Sequence, residues 1–163
     1  MRSSQAPDRF FDFGSLGPKN PVPGVYRRLG RLFHPGSGRT VILPLDHGVG
    51  EGMLAGLQGV GQLLELAAGR DVQAVVLNKG PARVHGADAP LDAGLVVQLS
   101  GGTKHAIPPY GRTLVCSVGE ALRLGADAVS VQINIGNDQE DRMLADFGHA
   151  AEEARLAGLP MLA

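Results

Sequence analysis

Four short stretches carry side chains that can do chemistry, and each closes an apolar run: Asp46–His47, Asn78–Lys79, Gln98 with Ser100, and Gln132 with Asn134. In VILPLDHGVG, residues 41–50, an apolar segment runs straight into an acid and an imidazole. Partial burial at such a tip can tune a carboxylate for proton transfer, which makes Asp46 the candidate catalytic residue. The alternative for Asp46 is a loop-capping carboxylate bonded to backbone N–H groups. His47 can orient Asp46 or donate to a substrate oxygen, and a plain structural hydrogen bond is as compatible with it. Lys79 offers an amine that could act as nucleophile if desolvated, attract an anionic substrate from the rim, or simply face water. Gln98, Gln132 and Asn134 offer amides able to bind a hydroxyl or carbonyl. No further ligands stand at matching spacing around Asp46–His47, so a metal is not expected.

These groups can meet only if the runs before them are parallel neighbours. Strands are expected near 41–46, 74–80 (AVVLNKG), 94–102 (GLVVQLSGG) and 126–136 (ADAVSVQINIG). A further strand begins at 159–163 (LPMLA). In the fourth run Val129, Val131, Ile133 and Ile135 alternate with Ser130, Gln132 and Asn134, the period of a strand with two unlike faces. Helices fill the intervals. Leu57, Val60, Leu64 and Ala67 keep helical spacing over 56–68, and a short helix spans 25–33. Ser117 and Glu120 form an S-x-x-E capping pattern closed by Gly125. Asn137 and Glu140 open a last helix with Met143, Phe147, Ala150, Ala151 and Ala154 on its apolar stripe and Gly158 as its stop. The stretch between 80 and 94 reads as a loop. Gly48, Gly50 and Gly52 fit neither dinucleotide nor P-loop spacing and read as a flexible loop beside the site.

Strand–helix units about thirty residues apart imply parallel pairing with right-handed crossovers. Both an open doubly wound sheet and an eight-stranded α/β barrel satisfy this. The polar face of the fourth strand favours the barrel, where polar side chains line the interior near the mouth. A full barrel takes about 250 residues, so 163 residues supply about four βα units and the start of the fifth strand. Residues 1–24, rich in Pro, Gly and Ser, read as an extended lead-in, and 25–163 as the N-terminal half of the barrel.

Composition sets outer limits. The chain is 44% hydrophobic and 19% charged with a net charge of −1, enough for a core and unlike a disordered segment or a nucleic-acid tail. The basic run Tyr26–Arg31 reads as a solvated helix face. One cysteine, Cys116, excludes an internal disulfide framework and reads as a small core residue. The first residues lack a signal-peptide core and no run reaches a membrane span, so a cytoplasmic location without membrane or nucleic-acid partners is expected.

TVILPLDHGV, VVLNKG and LGADAVSVQINIGN, with the helix EDRMLADFGHAAEEARLAGLPMLA after them, together resemble the archaeal-type class I aldolases. That family includes fructose-bisphosphate aldolases and amino-dideoxy-heptulosonate synthases. The resemblance implies a (β/α)8 TIM barrel and carbon–carbon lyase or synthase chemistry through a lysine Schiff base. It implies a phosphorylated substrate such as dihydroxyacetone phosphate, no metal or other cofactor, and a homo-oligomer at full length. Asp46 matches the aspartate that assists proton transfer around the iminium, with His47 beside it. Lys79 matches a common lysine that is not the Schiff-base residue. Gln98 and Gln132 stand where many relatives carry histidine, so these positions can bind a hydroxyl or carbonyl but cannot shuttle a proton near neutral pH. The Schiff-base lysine and a catalytic tyrosine are expected outside these residues. The alternative expectation is a non-catalytic half-barrel that pairs with itself or with a complementary half; a complete small enzyme using Lys79 ranks third.

Overall fold

The computed structural model describes residues 22–52, 54–68, 70–86 and 93–163. The lead-in expected over 1–24 lies outside the described residues except its last three, and Pro23 and Gly24 already open helix α1 (Pro23–Leu32). Proline suits that first turn, because the N–H it lacks would have no helical partner.

Five strands form one parallel sheet: β1 (Ile42–Pro44), β2 (Ala74–Asn78), β3 (Gly94–Gln98), β6 (Ala128–Ser130) and β7 (Met161–Leu162). Their order in the sheet is their order in the chain. A doubly wound sheet reverses strand order at a switch point; none occurs among the described strands, as in a barrel. Two short strands, β4 (Ser100–Gly101) and β5 (Thr113–Leu114), pair antiparallel as a separate ribbon.

The two sheet faces bury different things. Val75, Leu77, Val97 and Val129 pack with Leu64, Ala82, Ala121 and Ala150, which come from the helices α3 (Val60–Ala67), α4 (Lys79–His85), α5 (Val118–Arg123) and α6 (Glu140–Ala157). On the other face Ala74, Val96 and Ala128 pack with Leu32 of α1. Ala74 and Ala128 open their strands and Val96 stands mid-strand level with Ala128, so α1 covers the amino-terminal part of the second face. Alternation then carries Asn78, Gln98 and Ser130 onto this face at the carboxyl ends, in register across β2, β3 and β6.

Several boundaries differ from the sequence expectation. The first strand stops at Pro44, and the glycine-rich loop after it is instead a short helix, α2 (His47–Glu51), ended by Gly52 at φ 81. The second helix begins at Val60 rather than 56, because Gly56 sits at φ 90. The second strand stops at Asn78, and Lys79 opens α4 where a loop was expected. Pro81 is compatible with this helix, since a proline in the first turn removes no helical hydrogen bond. The third run breaks at Leu99 into β3 and β4.

The fourth run leaves the sheet after Ser130, with only the Val131 N–H still reaching Leu162 O at 3.0 Å. Ile135, expected on the apolar face, is 79% exposed. The Asn137 side chain bonds the Asn134 carbonyl and Gly136 takes φ 82, so local side-chain bonding replaces the ladder. Two of the expected caps hold, while the Asn137–Glu140 pair does not cap α6, whose N-cap is Gln139 without a side-chain cap bond. The Ser117 hydroxyl accepts from Glu120 N at 3.1 Å, and Gly158 ends α6 in the left-handed region at φ 67.

Candidate active site

Asp46 occupies the turn between β1 and α2, at the N-cap position, yet its carboxylate caps no helix backbone. Its side chain is 23% exposed and its Oδ1 lies 4.0 Å from His47 Nδ1. The loop-capping alternative therefore fails here, and no helix backbone N–H engages the carboxylate. What holds the turn is Asn78, 6% exposed, whose Nδ2 donates to the Asp46 carbonyl at 2.6 Å. Pro44 pairs with Val76 in register, so two residues further on Asp46 comes level with Asn78.

Gln98, buried in the same row, accepts from Ser130 Oγ at 2.7 Å through its Oε1. That bond orients the amide and leaves its nitrogen without a partner among the described residues, a donor ready for an oxygen. Asp46, Asn78, Gln98 and Ser130 thus form one polar row at the carboxyl ends of four strands. Chemistry gathers at this end in parallel α/β folds.

Gln132 and Asn134 lie just beyond the row in the loop after β6. Ser100 Oγ accepts from Gln132 N at 2.8 Å, Gln132 Nε2 donates to Asn134 Oδ1 at 3.4 Å, and Asn134 Nδ2 donates to Tyr110 O at 2.6 Å. Tyr110 OH in turn donates to Asp138 Oδ1 at 2.7 Å. This bond, with lesser contributions from burial and from the Asp138 charge, holds the Tyr110 phenol above its ordinary pKa. The loop after β4 is thereby tied to the loop after β6. Its other side meets α2, where Lys104 N donates to Gly50 O at 3.0 Å, and Arg112 Nη1 donates to Gly102 O at 2.9 Å. A Cβ at Gly102 would run into the Gly111 carbonyl oxygen, which accounts for glycine there.

Lys79 is not brought into this row. Its Nζ lies 3.4 Å from Glu120 Oε2 on α5, and Arg83 shares the same carboxylate at 2.9 Å. Glu120 is thus drawn towards α4 and does not return a bond to Ser117, so only half of the capping box forms. Cys116 is buried as expected, and burial, followed by the charge of Glu120, pushes its thiol up to about 11. Among the described residues no group of three or more His, Cys, Asp or Glu side chains is placed to hold a metal ion. No helix among them is long and apolar enough to cross a membrane.

Of these residues, Asn78 stands at an expected strand tip and Ser130 on the polar face of an expected strand, with nothing in the sequence to pair them with Asp46 and Gln98. Only the strand register shows that each reaches its neighbour.

Residues 40–163 match the DeoC/LacD family aldolase, DeoC. This chain belongs to the DeoC/LacD aldolase family. A 2-amino-4,5-dihydroxy-6-oxo-7-(phosphonooxy)heptanoate synthase of Streptomyces griseus is 39% identical over 136 residues, 83% of this chain and 50% of the relative. A 2-amino-3,7-dideoxy-D-threo-hept-6-ulosonate synthase of Archaeoglobus fulgidus is 37% identical over 140 residues, 86% of this chain and 52% of that protein. The chain spans about half the length of the curated relatives it matches. The crystal structure of an archaeal fructose 1,6-bisphosphate aldolase superposes with a TM-score of 0.68 at 28% identity, over 84% of this chain and 55% of that one. The parallel sheet and its helices are thus the α/β architecture of the aldolase barrels, covering about half of one.

Proposed function

We propose that this chain contributes the first half of the active site of a class I aldolase. The reaction makes or breaks a carbon–carbon bond next to a ketone held as a lysine Schiff base, with the lysine and a catalytic tyrosine supplied outside these 163 residues. The substrate class is a phosphorylated sugar or a dihydroxyacetone phosphate-type donor, in line with the phosphonooxy and bisphosphate groups in the relatives' names. The observation that carries this reading is the family match over residues 40–163, laid on a sheet whose carboxyl ends align Asp46, Asn78 and Gln98.

Asp46 moves the proton at the carbon adjacent to the iminium, using a carboxylate that no backbone N–H engages. His47, Gln98, Gln132 and Asn134 hydrogen-bond substrate hydroxyl or carbonyl oxygens, with Gln98 pre-oriented by Ser130. Lys79 stays out of this set, because its ammonium is held by Glu120. No metal or other cofactor takes part, the location is the cytoplasm, and nucleic acid and membranes are not partners.

Borohydride trapping with dihydroxyacetone phosphate, read by intact mass, tests the assignment. This chain alone should show no adduct. Mixed with a polypeptide supplying strands five to eight of a family relative, the adduct should appear on that polypeptide. An adduct on this chain would move the nucleophile to one of its own lysines, and no adduct on either would sink the aldolase reading.

A second reading, a non-catalytic half-barrel that pairs with itself or with a complementary half, is favoured by one observation. β1 and β7 each pair with a single neighbour among the described strands.

A further inference from the structure

The basic run Tyr26–Arg31, which the site chemistry does not use, borders a cavity of about 570 Å³ whose lining includes the three arginines Arg27, Arg28 and Arg31. That volume lies in the range of small-molecule sites. The cavity sits between α1 and the turn Gly125–Asp127 that leads into β6. It is therefore at the amino ends of the strands, the opposite end from Asp46 and Gln98.

Charge in the cavity is unbalanced. Asp127 contributes one carboxylate, and that carboxylate is already engaged by Arg31 Nη1 at 2.8 Å and by Leu95 N at 3.1 Å. Arg28 uses Nη1 on the carbonyls of Gly158 at 3.0 Å and Gly24 at 3.4 Å. These bonds fix two guanidiniums in place and leave donors over, since each carries more N–H groups than it has acceptors here. Arg27 has no hydrogen bond or ion pair among the described residues. Two positioned forks and one free fork around a cavity match a phosphate, which accepts paired N–H bonds from arginine.

We propose that this cavity binds a small phosphorylated anion at a site separate from the substrate rim. The arginines that position α1 form its walls, and Arg27 closes over the ligand. Occupancy adds an interaction between α1 and the start of β6, so it stabilises the packing of Leu32 beneath the sheet.

Calorimetric titration of the chain with inorganic pyrophosphate at low salt tests this, with thermal unfolding as a second readout. Expected are saturable binding, a rise in Tm with ligand, and an affinity loss of about tenfold in Arg27→Ala. Arg27→Lys, which keeps the charge but not the fork, should fall between. Arg27 is exposed on α1, so these variants fold, and their unliganded Tm checks it. Lys104→Ala removes the same charge from the opposite end and should bind like the parent. No saturable binding, or an equal loss in Arg27→Ala and Lys104→Ala, would overturn the proposal. Neither result bears on the Schiff-base assignment, which the borohydride experiment decides separately.

Discussion

At the scale of single residues, the site depends on which polar atoms are already engaged. A carboxylate that caps a helix has its lone pairs occupied by backbone N–H groups and turned away from a ligand. Asp46 sits at a helix start without doing so. Its backbone carbonyl, not its carboxylate, is the group that fixes the turn, through Asn78. Asp46→Asn therefore removes the proton acceptor while sparing the bond that shapes the turn. In an assembly that includes the Schiff-base lysine, kcat should drop by about 10²–10⁴-fold. The Tm of the chain should stay within about 2 °C, corresponding to a surface-like change of about 0.5 kcal/mol. A kcat within a few-fold of the parent would remove Asp46 from the chemistry.

Gln98 shows the same principle from the donor side. Ser130 Oγ donates to its carbonyl oxygen, which orients the amide nitrogen by default. The polar identity of both residues is plain in the sequence, but their pairing across thirty-two positions is a property of the β3–β6 register.

At the scale of elements, helix ends decide where side chains emerge. Lys79 is expected at a strand tip, on the rim, where it could face substrate or water. Because α4 begins at that residue, the chain turns there and carries the ammonium to Glu120. Glu120 is consequently bridged by Lys79 and Arg83, and Ser117 alone caps α5. Ser117→Ala should lower stability by about 1 kcal/mol, the usual cost of an N-cap deletion. Urea unfolding would show this as a lower midpoint with an unchanged slope. An unchanged midpoint would mean that α5 is held by packing of Val118 and Ala121 alone. The loop after β6 teaches a related lesson. Alternation in its sequence continues to Ile135, yet Asn134, Gly136 and Asn137 bond locally and end the strand at Ser130. Periodicity reports which residues suit a pleated surface and says nothing about whether a neighbouring strand is long enough to use them.

At the scale of the whole molecule, the sheet is bounded by β1 and β7, and each offers unpaired backbone groups on its outer side among the described strands. Such edges template pairing with another chain. Light scattering on the purified chain should give a mass at least twice that of the 16.9 kDa protomer. A concentration-independent monomer would argue against edge pairing and remove the observation behind the half-barrel reading. The strands also keep two groups of polar side chains apart, with the polar row at their carboxyl ends and the arginine-lined cavity at their amino ends.

Sequence alone determined the α/β plan, the parallel strands, the helix caps at Ser117 and Gly158 and the buried Cys116. These follow from apolar period, glycine conformation and capping chemistry, all local properties read within a few residues. Tertiary structure decided the rest. It placed Asn78 and Ser130 beside Asp46 and Gln98, withdrew Lys79 to the helix layer, and gathered Arg27, Arg28 and Arg31 over Asp127. Each of those outcomes joins residues about thirty to a hundred positions apart, or depends on where a chain turns. The contacts are set by strand register and helix packing, and no local pattern of residues encodes either one.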